Sequence, residues 1–189
     1  NNSLVDDANF QYFDDHVDVN SFLNYWIAMI YLGNYDWPAN NLTVWKEQKA
    51  GEKWRYCVAD TDGSTNNVLS EYSLASYNTL DSVLSAVDTD TVWPYHKNST
   101  LFLRKLTERE EYRDEFIQRT CSFIGLVYSE QRAHYFADSI QALYAPNIED
   151  HLNKWGSEGA LGASGLDMAT DINIWESWII EYKDFFSDR

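Results

Sequence analysis

Two short acidic segments of this sequence carry residue types from which a metal-dependent site can be built. Asp36 and Asn41 lie five residues apart in a turn-rich segment, and Asp60 and Asp62 follow a short β-type run, 24 and 26 residues after Asp36. Phosphoryl transfer requires a base beside the attacking hydroxyl and hard oxygen ligands for a divalent metal. An Asp followed five residues later by an Asn can direct both groups at one phosphate from a single loop.

Each segment has a simpler explanation when it is taken alone. Asp and Asn both favour turns, so Asp36 and Asn41 are compatible with simple turn chemistry. Asp60 and Asp62 are compatible with an acidic turn or a weak Ca²⁺ site, although Gly63 comes too early for an EF-hand loop, which has glycine at its sixth position. The order Asp, Asn, hairpin, Asp favours one shared site, because protein kinases present their base and metal ligands in this order.

The elements that precede these residues are predicted from periodicity. Residues 18–32 place apolar side chains at helical spacing, and Gly33 is suited to end the helix. Residues 34–41 are rich in turn formers. Leu42–Lys46 and Trp54–Val58 are short β-type runs joined by a plausible hairpin connection. We therefore expect a buried helix, a loop with the first acidic segment, and a two-stranded ribbon that leads to the second.

The rest of the chain is predicted to be mainly helical. Residues 64–98 are expected to be irregular with one short helix. The glycines of residues 156–165 are not followed by Lys-Ser or Lys-Thr, so we interpret this segment as a flexible connection and not a phosphate-binding loop. The predicted helices are Leu101–Leu106, Glu108–Val127, Glu130–Leu143, one from Pro146 to Trp155, and one from Thr170 to Phe186. The predicted fold class is α+β, mostly α, with a small hairpin beside the acidic site.

The bulk composition predicts one folded acidic domain over residues 1–189. The chain has 44% apolar and 16% aromatic residues, and 14 Lys and Arg against 30 Asp and Glu give a net charge of −16. Such a charge repels nucleic acid and anionic membranes, and no apolar run is long enough to span a bilayer. Cys57 and Cys121 are too far apart in sequence for a zinc or C-x-x-C motif. They are expected to be two buried thiols, with a disulfide as the alternative.

The ordered series of motifs resembles the CotH family of spore-coat kinases, and the resemblance extends over most of the chain. The stretches that carry it are Val17–Tyr25, Leu32–Asn41, Lys53–Tyr56, Asp60–Asp62, Thr100–Leu106, Glu111–Arg119 and Phe185–Arg189. The resemblance implies the C-terminal lobe of a kinase-like fold. The Lys and Glu that clamp ATP would belong to an N-terminal lobe before residue 1, so we expect this chain alone not to turn over ATP.

The resemblance also implies roles for the acidic residues. Asp36 would be the catalytic Asp, and Asn41 and Asp60 would bind the cofactor, which is ATP with Mg²⁺ or Mn²⁺. Asn41, Asp60 and Asp62 would be metal ligands. The implied reaction is transfer of the γ-phosphoryl group to Ser or Thr of a partner, such as a coat or surface protein. The implied location is extracellular, at the cell surface or in the spore coat of a bacterium.

Two other classes of function stay open at this point. In the second acidic segment, the CotH family usually has an aromatic residue near the first Asp and a Phe-Gly or similar pair soon after the second. In this chain Ala59 precedes Asp60, and residues 63–66 read Gly-Ser-Thr-Asn. This difference favours an inactive, pseudokinase-like or Ca²⁺-binding surface module. The eight Trp residues are expected in the core by default, but exposed ones would suit a glycan-binding domain.

Overall fold

The computed structural model describes residues 3–67, 70–86, 93–155, 169 and 171–189, and it confirms a mostly helical α+β fold. The predicted glycine-rich connection at 156–165 lies outside the described residues. The elements are α1 (Asp7–His16), α2 (Val19–Leu32), β1 (Thr43–Trp45), β2 (Arg55–Cys57), a 3₁₀ turn (Glu71–Ser73), α3 (Thr79–Ser85), α4 (Leu101–Leu106), α5 (Glu110–Leu126), α6 (Glu130–Trp155) and α7 (Ile172–Asp188). No helix in the described ranges is long and apolar enough to cross a membrane.

Helix α2 forms the centre of the core, as the apolar periodicity predicts. It begins after Asp18, whose side chain accepts a hydrogen bond from the Ser21 amide at 3.0 Å. It ends at Gly33, which has a φ of 64° and whose amide donates a hydrogen bond to the Met29 carbonyl. This left-handed conformation suits glycine. The core around α2 includes the buried residues Phe22, Leu23, Trp26, Met29, Val83, Leu103 and Leu106.

The predicted β-ribbon is confirmed, and it is held against the beginning of α2. Strands β1 and β2 pair in antiparallel register, with Val44 opposite Tyr56. The Ser21 hydroxyl accepts a hydrogen bond from the Tyr56 amide at 2.9 Å and donates one to the Tyr56 carbonyl at 3.2 Å. The Tyr56 ring also packs edge-on against Phe22 at 5.1 Å between centroids. The ribbon therefore leaves the core at a defined position and directs the residues after β2.

The prediction that a helix ends near Leu143 and another begins at Pro146 is wrong. Helix α6 runs without interruption from Glu130 to Trp155 and contains Pro146. A proline removes one helical hydrogen bond and costs about 3 kcal/mol in a helix interior. The helix packs against α7 and buries Ala133 before the proline and Leu152 after it, which offsets part of this cost.

The surface carries cysteine and tryptophan side chains that were expected to be buried. Both cysteines are free; Cys57 is half-buried, and Cys121 is exposed on α5. Five residues correspond to a rotation of about 140° along a helix, so Cys121 faces away from the core when Phe116 faces it. Trp26 and Trp37 are buried as expected, whereas the ribbon residues Trp45 and Trp54 are 48% and 40% exposed.

Arg189 fastens the end of α7 to the core. Its guanidinium donates hydrogen bonds to the carbonyls of Ile30 and Ala75, each at 2.9 Å, and of Tyr77, and to the Thr79 hydroxyl at 3.2 Å. The Ile30 carbonyl belongs to the last turn of α2, where carbonyls lack helical partners. Burial lowers the pKa of Arg189, so these hydrogen bonds offset a desolvation cost.

We predict that Arg189→Ala destabilises the fold by about 1–3 kcal/mol, because buried carbonyl groups lose their donor. Arg189→Lys is expected to retain part of this stability, since an ammonium keeps the charge without the planar fork. Urea denaturation followed by tryptophan fluorescence measures both changes. Equal stability of the wild type and the Ala variant would show that Arg189 does not fasten α7.

Candidate functional site

Two loops come together beside the end of α2. The first, residues 33–41, follows α2, and the second, residues 58–66, follows β2. The Tyr35 amide donates a hydrogen bond to the Gly63 carbonyl at 2.9 Å, and the Thr65 amide donates one to the Leu32 carbonyl at 3.0 Å. These bonds join the loops along their backbones, so the two acidic segments lie on one surface.

Asp36 and Asn41 are in direct contact in the first loop. The Asp36 carboxylate accepts hydrogen bonds from the side-chain amides of Asn40 at 3.0 Å and Asn41 at 3.3 Å. The Asn41 amide also lies 3.4 Å from the Asp60 carbonyl oxygen. Asn41 therefore touches both acidic segments. Its φ of 53° is left-handed, a conformation that Asn adopts more readily than most residues.

Asp60 and Asp62 bring like charges together in the second loop. Both residues are exposed, and Asp60 has a φ of 54°. A hydrogen bond between the two carboxyl groups raises the pKa of Asp60, and the negative charges of Asp62 and Asp36 raise it further. The shift shows that the three carboxyl groups share one local field. A cation placed among them would relieve this repulsion.

The predicted metal ligands are hard oxygen donors of the kind that Mg²⁺ prefers. They are the Asp60 and Asp62 carboxylates and the Asn41 amide oxygen, and the Asn41 side chain also contacts the Asp36 carboxylate. In the described part of the chain, no three His, Cys, Asp or Glu side chains are arranged to hold a metal. Mg²⁺ at phosphate-transfer sites uses one or two carboxylates, with substrate phosphates and water as its other ligands. The residues present therefore fit a metal that arrives with phosphate.

Comparison with known proteins identifies the family. The family described as CotH kinase protein matches the chain over residues 1–189. The chain belongs to the CotH kinase family. No curated protein and no solved structure gives a significant match. Membership agrees with the resemblance drawn from the motifs, and the roles of Asp36, Asn41, Asp60 and Asp62 remain predictions.

The position of the first loop in this CotH-family chain depends on Trp37, which was predicted only as a core aromatic. Its side chain is 0% exposed, and its indole nitrogen donates a hydrogen bond to the Tyr25 hydroxyl at 2.8 Å. The Tyr25 hydroxyl in turn lies 3.4 Å from the Asn41 carbonyl. Trp37 also packs on Trp26 at 4.7 Å between centroids. The loop is therefore anchored to α2 between its two predicted functional residues.

Sequence reasoning missed Asn34, Tyr35 and Asn40 as parts of the site. Asn34 is fully buried between the loops, and Asn40 donates to the Asp36 carboxylate. Burial raises the pKa of Tyr35, and the nearby Asp36, Asp62 and Asp60 charges raise it further, which places its ring beside the acidic groups. The available signal was the density of Asn residues around Asp36, which was interpreted as turn chemistry only.

Proposed function

We propose that this chain carries the catalytic and metal-binding groups of an atypical protein kinase that phosphorylates Ser or Thr of a partner protein. Family membership supports the kinase class. The single observation that carries the proposal is the position of the Asn41 amide, 3.3 Å from the Asp36 carboxylate and 3.4 Å from the Asp60 carbonyl. This contact brings a base and a metal-binding loop within reach of one phosphate.

Each residue has a defined task in this proposal. Asp36 accepts the proton of the substrate hydroxyl, and its hydrogen bonds from Asn40 and Asn41 hold the carboxylate in position. Asn41 and Asp60 hold Mg²⁺ or Mn²⁺, and Asp62 supplies a further acidic ligand. The bound metal neutralises charge on the ATP phosphates. Orientation and electrostatics then supply most of the rate acceleration, because phosphoryl transfer needs little covalent chemistry from the protein.

We further infer that the substrate is a coat or surface protein of a bacterium, phosphorylated outside the cell. This inference follows from the CotH family alone. Mass spectrometry of surface and coat fractions incubated with the protein and ATP identifies the modified Ser and Thr.

Calorimetric titration of Mg²⁺-ATP and Mn²⁺-ATP tests the metal site, with Asp60→Asn as the variant. We expect Asp60→Asn to weaken binding by more than about tenfold, because a charged metal ligand is lost. Asn tolerates the left-handed φ of this position, so the loop retains its conformation. The titration is made on this chain and on any longer product of the same gene that includes an N-terminal lobe.

Asp15→Asn is the matched control for this titration. Asp15 is an exposed carboxylate on α1, where it accepts a hydrogen bond from Gln11, and it lies outside the candidate site. Its substitution removes the same charge and is expected to leave binding unchanged. If Asp60→Asn bound Mg²⁺-ATP as tightly as the wild type, Asp60 would not be a ligand.

A pseudokinase-like or Ca²⁺-binding module is the second candidate function. The observation that favours it is the segment at residues 63–66, Gly-Ser-Thr-Asn, where the family has a Phe-Gly or similar pair. Thr65 and Asn66 both have left-handed φ values, 55° and 60°, so this segment forms its own turn beside the acidic pair. Binding of Ca²⁺ without nucleotide, together with no binding of Mg²⁺-ATP, would favour this alternative.

A further inference from the structure

Asn34 connects the backbones of two of the three predicted functional aspartates, Asp36 and Asp60. Its side chain is 0% exposed. The Oδ1 atom accepts a hydrogen bond from the Asp36 amide at 2.9 Å, and the Nδ2 atom donates one to the Asp60 carbonyl at 2.8 Å. Both bonds are shorter than the contacts of Asn41 in the same region. One buried amide therefore sets the distance between the two loops at the residues that matter for chemistry.

We propose that Asn34 is a positioning residue of the phosphoryl-transfer site, which holds Asp36 and Asp60 at a fixed separation. The proposal rests on the proposed function of these two aspartates. Asn34 would touch neither the metal nor the substrate, since it binds only backbone atoms of the residues that do. Its effect is therefore exerted through their geometry, as outer residues orient the ligands of metal sites.

The hydrogen-bonding groups around position 34 explain why an Asn occupies it. The Asp60 carbonyl requires a donor and the Asp36 amide requires an acceptor, and a carboxamide offers both from one planar group. An Asp at position 34 would keep the acceptor but lose the donor, and it would add charge beside three carboxylates. The left-handed φ of Asp60, 54°, is uncommon for a residue other than glycine, so a hydrogen bond to its carbonyl helps to hold it.

Gly63 is the second part of this arrangement. A Cβ atom at Gly63 would lie 2.8 Å from the Tyr35 ring and 3.3 Å from the Asn34 Oδ1 atom. The Gly63 carbonyl also accepts a hydrogen bond from the Tyr35 amide at 2.9 Å. The close approach of the two loops therefore requires a residue without a side chain at position 63. This requirement explains the glycine directly after Asp62 that the sequence left unexplained.

The test measures the affinity for Mn²⁺ in the presence of ATP, by calorimetry, in the wild type and in Asn34→Ala, Gly63→Ala and Asp60→Asn. We expect Asn34→Ala and Gly63→Ala each to weaken Mn²⁺ binding by about 10–100-fold, as for other residues that orient metal ligands. Near-UV circular dichroism reports whether each variant keeps its tertiary packing. Hydrogen exchange at the Asp36 amide is expected to accelerate in Asn34→Ala, because this amide loses its acceptor.

Asn24→Ala is the matched control. Asn24 is an exposed residue of α2 outside the candidate site, where its side chain accepts a hydrogen bond from Arg119 at 3.0 Å. We expect its loss to leave Mn²⁺ affinity unchanged. An equal effect of Asn24→Ala and Asn34→Ala would assign Asn34 no special role.

The outcomes separate this inference from the proposed function. Wild-type binding that is lost in Asp60→Asn and weakened in the folded Asn34→Ala and Gly63→Ala variants supports both. Wild-type affinity in the folded Asn34→Ala and Gly63→Ala variants overturns the role of Asn34 and leaves the metal site intact. If Asn34→Ala does not fold, Gly63→Ala decides the question. No Mn²⁺ binding by the wild type in the presence of ATP, or unchanged binding in Asp60→Asn, removes the proposed metal site and the role of Asn34 with it.

Discussion

Asp36→Asn is expected to lower the rate of phosphoryl transfer by about 10²–10⁴-fold, the usual contribution of a positioned general base. The variant has the same shape, and its amide oxygen can accept the hydrogen bonds that Asn40 and Asn41 donate to the carboxylate. The loop should therefore remain in place. What is lost is the group that we propose receives the proton of the attacking hydroxyl. Transfer of labelled phosphate from ATP, measured on a form of the protein that turns over ATP, gives the rate.

Metal binding distinguishes loss of the base from loss of the site. Asp36→Asn is expected to retain most of the Mn²⁺ affinity, because Asn41, Asp60 and Asp62 are the predicted ligands. Asp15→Asn on α1 again serves as the charge-matched control and should leave the rate unchanged. A normal rate in Asp36→Asn would exclude Asp36 as the base. A low rate accompanied by loss of Mn²⁺ binding would instead make Asp36 a metal ligand.

Trp37→Ala is expected to destabilise the protein by about 3–5 kcal/mol, the usual cost of truncating a buried aromatic residue. Trp37 has no exposed surface, packs on Trp26, and donates its indole hydrogen to the Tyr25 hydroxyl. Its removal leaves a cavity and an unpaired hydroxyl. Because Trp37 lies between Asp36 and Asn41 in the loop, the variant should also lose metal binding. Urea denaturation and Mn²⁺ titration measure the two effects.

Trp37→Phe separates packing from hydrogen bonding. It retains an aromatic ring but removes the donor to Tyr25, so we expect a smaller loss, including about 1 kcal/mol for the hydrogen bond. Near-equal stability of the Ala variant and the wild type would mean that this loop is not anchored through Trp37. A Phe variant as unstable as the Ala variant would place most of the energy in the hydrogen bond.

Local patterns predicted the parts of the fold that depend on neighbouring residues in the chain. Helix α2 and its end at Gly33 follow from apolar periodicity and from the conformational freedom of glycine. The ribbon follows from two β-type runs separated by a turn. Pro146 shows where this reasoning fails. The local preference of proline predicts a helix boundary there, but α6 continues through Pro146 and packs against α7.

The residue order also pointed to Asp36, Asn41, Asp60 and Asp62 as candidate functional residues, because groups on consecutive loops keep their spacing in the sequence. It did not point to Asn34 or Gly63. Their importance comes from contacts across the gap between two loops, with separations such as the 26 residues between Asn34 and Asp60. An Asn beside a turn is common in any loop, so its type carries no signal until its partners are known.

The sequence by itself therefore determines the net charge, the family and the order of the acidic groups, since these depend only on which residues occur and in what order. The meeting of the acidic segments depends on the folded arrangement. A helix that ends at Gly33, a ribbon fixed to Ser21 and a loop anchored through Trp37 together bring Asp36 and Asp60 to one surface. The physical reason that only the fold decides this arrangement is burial. Hydrogen bonds such as those of Asn34 hold a loop in position only where water cannot compete for them.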